Sequence, residues 1–115
     1  MPVVSRLKSA HPSGDFTGRI RVDEQAHAYG QKARAAMPVG ALVVEELAPD
    51  ADAAATLFYV MVKQPAGYYP EAGDWEFLVL GPAGDVQVRG KLPLCGRCHG
   101  EAPREALFEQ LGRAP

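Results

Sequence analysis

Two stretches in the middle of the chain decide the fold: Thr56-Leu-Phe-Tyr-Val-Met-Val-Lys63 and Trp75-Glu-Phe-Leu-Val-Leu80. Both are rich in β-branched and aromatic residues, which favour strands. Similar runs flank them at 41–47 and 86–90. Four such strands in succession predict an antiparallel meander, in which the Gly-containing link at 81–85 forms a hairpin turn. The longer connection at 65–74 carries two tyrosines, and we expect it to be an ordered, packed loop.

Outside these strands the sequence predicts short helices and a loop. Good helix formers fill residues 23–37, with Asp23 as N-cap, and Pro38 ends that helix. A second short helix is expected over 103–111, while Pro, Gly and Ser make 1–18 an N-terminal loop or extension. The predicted class is α+β: a mainly antiparallel β-sheet of about four to five strands with a few short helices.

Length and composition limit the classes of function. The chain has 115 residues, 47% hydrophobic and 23% charged, which is typical of one globular domain spanning residues 1–115. Its 12 Lys+Arg and 14 Asp+Glu give a net charge of −2, without the basic excess of a nucleic-acid binder. No apolar run approaches the roughly 18 residues of a membrane span, so we expect no membrane partner.

The strongest chemical signal is the pentapeptide Cys95-Gly96-Arg97-Cys98-His99. Two thiols at this spacing can each add across one vinyl group of a haem, and a histidine directly after the second thiol can ligate the iron. The motif predicts one haem c, attached through Cys95 and Cys98, with His99 as the metal ligand. We expect Gly96, which has no side chain, to allow the backbone to approach the porphyrin closely.

Other interpretations of the two cysteines stay open at this point. A redox-active disulfide prefers a strand-to-helix junction within a βαβ unit, whereas this motif follows an antiparallel meander. A zinc site needs four ligands, so His99 would require His11 or His27 as well as both thiols. A structural disulfide closing so small a loop would stabilise the chain only slightly.

Beyond the haem motif, the stretch from Val60 to Phe77 contains Gly-Tyr-Tyr-Pro-Glu-Ala-Gly-Asp-Trp and is followed by Gly84 and by Arg-Gly-Lys-Leu at 89–92. Together with Cys-x-x-Cys-His, these residues resemble the cytochrome P-460 family, which includes the cytochromes c′-beta. The resemblance covers roughly residues 11–110. It implies a mainly antiparallel β domain, a homodimer and one c-type haem.

The family has two functional branches. In the cytochromes P-460 proper, a lysine is cross-linked to the haem and the protein oxidises hydroxylamine or nitric oxide; the cytochromes c′-beta lack the cross-link and bind nitric oxide or similar gases. By this resemblance, Glu45 stands where the cross-linking lysine would lie, which favours the gas-binding branch. Lys63 lies in a segment that both branches keep, and we expect it to be a solvated lysine at a strand end.

The resemblance also suggests residues for the ligand side of the haem. Met37 and Phe16 are candidate apolar caps, with ordinary core packing as the alternative, and Met37 or Met61 could instead ligate the iron. Arg19 aligns with a distal arginine of the P-460 branch, although an arginine beside a strand is more often a solvated charge.

Glu45 is the other candidate catalytic residue besides Arg19. Strand alternation puts Glu45 and Glu46 on opposite faces of the sheet, so one of them faces inward or lies at the sheet margin. A desolvated carboxylate beside a haem could take protons from a hydroxylamine-like substrate.

The sequence therefore predicts a monohaem cytochrome that binds nitric oxide or a similar small ligand. The alternatives are a P-460-type oxidoreductase acting on hydroxylamine or nitric oxide, and an electron-transfer cytochrome with a redox partner protein. Because haem c is attached outside the bacterial cytoplasm, we expect a periplasmic protein. Since no leader precedes the domain, we interpret the sequence as the mature chain with a cloning methionine.

Overall fold

A computed structural model of the chain describes residues 3–8, 17–31, 37–50 and 52–100. Its centre is a six-stranded antiparallel sheet in which every strand pairs with its neighbour in the sequence. The strands are β1 (Val3–Lys8), β2 (Thr17–Val22), β3 (Leu42–Ala48), β4 (Leu57–Lys63), β5 (Trp75–Leu80) and β6 (Val86–Gly90).

Two helices of eight residues accompany the sheet: α1 (Glu24–Gln31) follows β2, and α2 (Pro93–Gly100) follows β6. A single 3-10 turn, Pro70–Ala72, lies in the connection between β4 and β5. The predicted mainly-β α+β class is confirmed. Within the described part of the chain, no helix has the length and apolar character needed to cross a bilayer.

The predicted meander is confirmed nearly to the residue. β5 and β6 have the expected bounds, β4 begins one residue later than expected, and both ends of β3 lie one residue later than expected. The hairpin at 81–85 also forms as expected. The Gly81 N–H donates to the Asp85 carbonyl oxygen at 2.8 Å. Gly84 has a φ of 82°, a positive value that glycine adopts without steric cost.

The prediction that 1–18 is loop is wrong for Val3–Lys8 and for the first residues of β2, so the sheet has more strands than the four to five expected. Alternation of buried and half-buried residues is present along β2, but the run is short and includes Gly18 and two arginines. β1 is an edge strand whose backbone hydrogen bonds come from β2. Its strand conformation therefore depends on a partner, which local sequence does not reveal.

The first helix begins as predicted. Asp23 Oδ1 accepts a hydrogen bond from the Ala26 N–H at 2.9 Å, which is the expected N-cap geometry. The described helix ends at Gln31, and residues 32–36, over which it was predicted to continue, lie outside the described residues, as does the helix expected over 103–111.

One face of the sheet, here called the inner face, carries the core. Directly paired residues form a row of buried apolar side chains across four strands: Val22, Val43, Met61 and Phe77. α1 packs on β2 and β3, and α2 packs on β5 and on the 3-10 turn. Trp75 is fully buried in the same core, and Leu92 and Cys95 lie against it. The inner face is therefore the side on which α2 and its motif lie.

The opposite, outer face of the sheet carries an ion-paired cluster. Glu46 accepts from Arg19 Nε at 3.0 Å and from Arg21 Nε at 2.8 Å, so one carboxylate joins two guanidinium groups of β2. Arg19 also donates from Nη1 to the carbonyl oxygen of Ala53 at 3.1 Å. Charges on this face thus compensate one another.

The connection between β4 and β5 is an ordered loop, as predicted. Its two ends are joined by a bond from the Gln64 N–H to the Asp74 carbonyl. Asp74 Oδ1 accepts from the Tyr69 N–H, and the Asp74 N–H donates to the Tyr69 carbonyl, both at 2.9 Å. Asp74 itself has a φ of 64°, in the left-handed region. This residue fixes Tyr69, which contacts α2.

We predict that Asp74→Ala lowers the free energy of unfolding by about 2 kcal/mol, because it removes the half-buried acceptor of the Tyr69 N–H and places alanine, which tolerates a positive φ less well than aspartate, in the left-handed region. Asparagine at this position would still provide an acceptor oxygen, and it tolerates this backbone conformation. Asp74→Asn should therefore lower the free energy of unfolding by less than about 1 kcal/mol. Urea denaturation followed by Trp75 fluorescence measures both. Equal losses for the two variants would contradict this account of the loop.

Candidate functional site

The Cys-Cys-His motif lies on α2, which begins with Pro93 at its first position, where a missing N–H costs little. Cys95, Cys98 and His99 are spaced i, i+3 and i+4, so their side chains share one side of the helix. Both cysteines are free thiols; Cys95 is half-buried and Cys98 is exposed. The structure therefore gathers two unpaired sulfurs and one imidazole on a single helical surface.

The imidazole of His99 lies against the sheet. Its ring centroid is 5.5 Å from that of Phe77, with the two planes tilted by 41°. Tyr69 meets the same phenyl ring edge-on, at 6.4 Å and 89°. Because Phe77 is buried and central in the core, it gives the histidine ring a fixed apolar support.

Gly96 has a packing role that the sequence did not predict. A β-carbon at this position would lie 2.6 Å from Cζ of Tyr69, closer than real contacts allow. The absence of a side chain therefore admits Tyr69 against α2. The approach of the backbone to a porphyrin at Gly96 stays a prediction.

Burial raises the pKa of the Cys95 thiol above its ordinary value; a backbone hydrogen bond opposes this increase in part, and the negative charge of a Cys98 thiolate adds a smaller increase. Thiol–disulfide catalysis needs a cysteine whose pKa is lowered, so that a thiolate forms at neutral pH. The environment of Cys95 is the reverse. This disfavours the redox-disulfide interpretation.

The zinc interpretation also lacks support. Across the described ranges, no three His, Cys, Asp or Glu side chains lie together in a way that would hold a metal ion. His27 is half-buried on α1, and His11 lies outside the described residues.

Beside the buried core row, a second row crosses the inner face: Ile20, Glu45, Tyr59, Val79 and Val88 are paired in register from β2 to β6. Glu45 is only 8% exposed, although it is ionisable. Its carboxyl group lies over Gly18, where an added β-carbon would be 3.1 Å from Cδ and even closer to Oε2. The absence of a side chain at Gly18 thus provides the space on the inner face that the Glu45 carboxyl group occupies.

Tyr59 connects Glu45 to the motif. It pairs directly with Glu45 across β3 and β4. Its pKa is raised above 10.0, first by burial and then by negative charge at Cys95 and at Glu45. Both groups therefore lie near the phenol. Cys95, Tyr59 and Glu45 form one electrostatic cluster, which together with Cys98, His99, Phe77 and Gly18 makes up the candidate site.

Several predicted site residues lie elsewhere. Arg19 is on the outer face, bound to Glu46, so it does not face α2. Met37 is 4% exposed within the core cluster, which is the ordinary packing role, and Met61 is buried in the same cluster. Phe16 lies outside the described residues.

The expectation for Lys63 is wrong. Its side chain is half-buried, Nζ donates to the Gly73 carbonyl oxygen at 2.6 Å, and the ammonium lies 5.4 Å from the Trp75 ring centroid. A carbonyl and an aromatic face together replace much of the water that a strand-end lysine would otherwise keep.

Three residues of the site were not singled out by sequence reasoning as its members: Tyr59, Phe77 and Gly18. The signal that could have found the first two was present. Alternation along β4 and β5 places Tyr59 and Phe77 on the same face as the core, and the pairing of the strands brings both to α2. Gly18 has no such signal, because its role depends on the conformation of Glu45.

Comparison of the sequence with protein-family models and with curated proteins gives no match. The function is therefore inferred from the motif, from the geometry of the site and from the resemblance described above.

We predict that Gly18→Ala lowers the free energy of unfolding by about 1–3 kcal/mol, because the added methyl group meets the carboxyl group of Glu45. In a Glu45→Ala background the same change should cost at least about 1 kcal/mol less. In a Glu46→Ala background, which alters only the outer face, the full cost should persist. Urea denaturation of the three backgrounds with and without Gly18→Ala measures the coupling, and strict additivity with Glu45→Ala would refute the contact.

We also predict different reactivities for the two thiols in the chain without haem. Each single variant keeps one thiol: exposed Cys98 in Cys95→Ser, and Cys95 in Cys98→Ser. At pH 7.5, iodoacetamide should react with Cys98 in the first variant at least about tenfold faster than with Cys95 in the second. Because burial raises the Cys95 pKa, its rate should keep increasing as the pH passes 9. Faster alkylation of Cys95 at neutral pH would instead indicate a lowered pKa and restore the redox-disulfide interpretation.

Proposed function

We propose that this protein is a monohaem c-type cytochrome that binds nitric oxide or a similar small nitrogen oxide. The observation that carries the proposal is the placement of two unpaired thiols and an imidazole on one side of α2, where that helix meets the apolar inner face. This donor set fits haem c. Cys95 and Cys98 would hold the macrocycle by thioether bonds, and His99 would ligate the iron.

When bound, the haem iron supplies a coordination position for a small ligand and one-electron chemistry. The chain's own residues supply order and shielding. Phe77, itself contacted by Tyr69, holds the imidazole ring from the side of the core. The apolar inner face next to Cys95 excludes water, which strengthens electrostatic interactions there.

Position 45 favours one branch of the family that the sequence resembles. By the resemblance, the cytochromes P-460 proper carry a cross-linking lysine where this chain has Glu45, and the described lysine nearest in sequence on the inner face, Lys63, is bound to the Gly73 carbonyl. Both points favour gas binding over oxidation of hydroxylamine. A periplasmic location and a homodimer remain part of the proposal as the haem motif and the resemblance imply them.

A second candidate, an enzyme that oxidises hydroxylamine or nitric oxide, is favoured by one observation: Glu45 is buried on the inner face, the side of the sheet on which α2 also lies. A carboxylate in such a place is suited to accept a proton from a hydroxylamine-like substrate. An electron-transfer role through a methionine ligand has less support, because Met37 and Met61 are both packed in the core.

We predict one covalent haem per chain when the protein is matured in a host that attaches haem c, measured by the pyridine haemochrome spectrum and by intact mass. Cys95→Ser/Cys98→Ser should abolish covalent attachment. Mutation His99→Ala should remove the proximal ligand and change the spin state, whereas the control His27→Ala should leave the spectrum unchanged. Protein that contains no iron after this maturation would overturn the proposal.

The spectrum of the reduced holoprotein also distinguishes the alternatives. A gas-binding cytochrome should be five-coordinate and high-spin when reduced, and carbon monoxide should shift its Soret band. A low-spin spectrum that carbon monoxide does not change would instead establish the electron-transfer role. Turnover of hydroxylamine together with a haem linkage beyond the two thioethers would establish the enzyme.

A further inference from the structure

We infer that Glu45 lowers the reduction potential at this site: its buried carboxylate favours the ferric form of a haem held by α2. The inference rests on the proposed function, because it concerns the group that Cys95, Cys98 and His99 would bind. It assigns to Glu45 an electrostatic role that requires no contact with a ligand or substrate.

Two adjacent glutamates of β3 lie in contrasting environments. Glu46 is on the outer face, where both of its oxygens accept from arginines of β2. Glu45 is on the inner face and nearly all of its surface is removed from water. A charge in such a place is weakly screened by solvent and salt, so its field extends further than that of a surface charge.

Glu45 lies close to the motif because of strand register. Tyr59 is its direct partner on β4, and the phenol of Tyr59 is near both Glu45 and Cys95. After burial and the charge at Cys95, the charge of Glu45 also contributes to the raised pKa of Tyr59, so it acts on the neighbouring side chain. Since a thioether at Cys95 would hold the edge of the macrocycle, that edge would lie in the same field.

The position of the carboxylate is also built into the backbone. Gly18, diagonal to Glu45 in the pairing of β2 with β3, leaves the space that its carboxyl group fills. A larger residue would force the side chain to move. The sequence therefore combines an acidic residue and a glycine on neighbouring strands, and the pair holds a negative charge within an apolar face.

Ferric haem carries one more positive charge than ferrous haem, so a fixed negative charge nearby stabilises the ferric form. A unit charge roughly 12 Å away, at an effective dielectric constant of about 20, changes an equilibrium by about tenfold. For a one-electron couple, a tenfold change corresponds to about 59 mV. Burial and nearby charge are among the means by which proteins set haem potentials.

The test compares the reduction midpoints of the holoprotein, Glu45→Gln and Glu46→Gln by spectroelectrochemistry. Glu45→Gln should increase the ferrous-to-ferric ratio at fixed potential by about tenfold, which raises the midpoint by about 59 mV. Glu45→Asp keeps the charge and should remain within about threefold of the parent. The matched control Glu46→Gln should also change the ratio by less than about threefold, because Glu46 lies on the opposite face of the sheet, where its charge is paired with Arg19 and Arg21.

Equal midpoints for the parent and Glu45→Gln would overturn the inference, as would an equal shift in Glu46→Gln. Glu45→Thr, a neutral residue suited to a strand, provides the same measurement if the glutamine variant does not fold. The two proposals fail in different ways. A parent protein without covalent haem refutes the proposed function, whereas a parent with haem and an unresponsive midpoint refutes only the role of Glu45.

Discussion

The contact between Tyr69 and Gly96 determines how α2 lies on the sheet. The tyrosine ring occupies the space that any side chain at position 96 would need. Tyr69 is itself fixed by two hydrogen bonds to Asp74 and by its edge-on contact with Phe77. The helix can therefore pack closely only with its glycine turned towards the loop, and this orientation places His99 on Phe77 and Cys95 against the core.

The same constraint explains why a glycine is acceptable within an eight-residue helix. Glycine in a helix interior costs roughly 0.5–1 kcal/mol relative to alanine, and α2 is too short to be stable alone. Packing against the 3-10 turn and β5 compensates for both. Tertiary contacts thus stabilise a helix whose own sequence has a low helix propensity. Its orientation is set by Tyr69, 27 positions earlier in the chain.

The sequence allowed the strands to be predicted wherever apolar runs and turn residues coincide, as at Trp75–Leu80 and Val86–Gly90. It did not reveal β1, because an edge strand obtains its hydrogen bonds from a neighbour. It also left open which of Glu45 and Glu46 faces inward. That choice depends on which face the helices cover and on the space above Gly18, and neither is a local property.

The environment of the Lys63 side chain likewise could not be predicted from the local sequence. Its position at the end of β4 suggested solvation, but the folding of residues 64–74 brings the Gly73 carbonyl and the Trp75 ring to its ammonium group. The motif on α2 was the opposite case. Its chemistry follows from residue types and spacing alone, so Cys95, Cys98 and His99 could be chosen before their surroundings were known, whereas the cluster with Tyr59 required the sheet.

The second row of the inner face changes in exposure as it crosses the sheet. Ile20 and Glu45 are buried, Tyr59 and Val79 are half-buried, and Val88 on the edge strand is 48% exposed. Leu94, one helical turn before Cys98, is 78% exposed. Apolar surface in water costs roughly 25 cal/mol per Å², so a large apolar group held by the two cysteines would reduce an unfavourable exposure beside them. The core of this small domain is thus complete beneath α1 and becomes more open towards β6, on the side of the sheet where the motif lies.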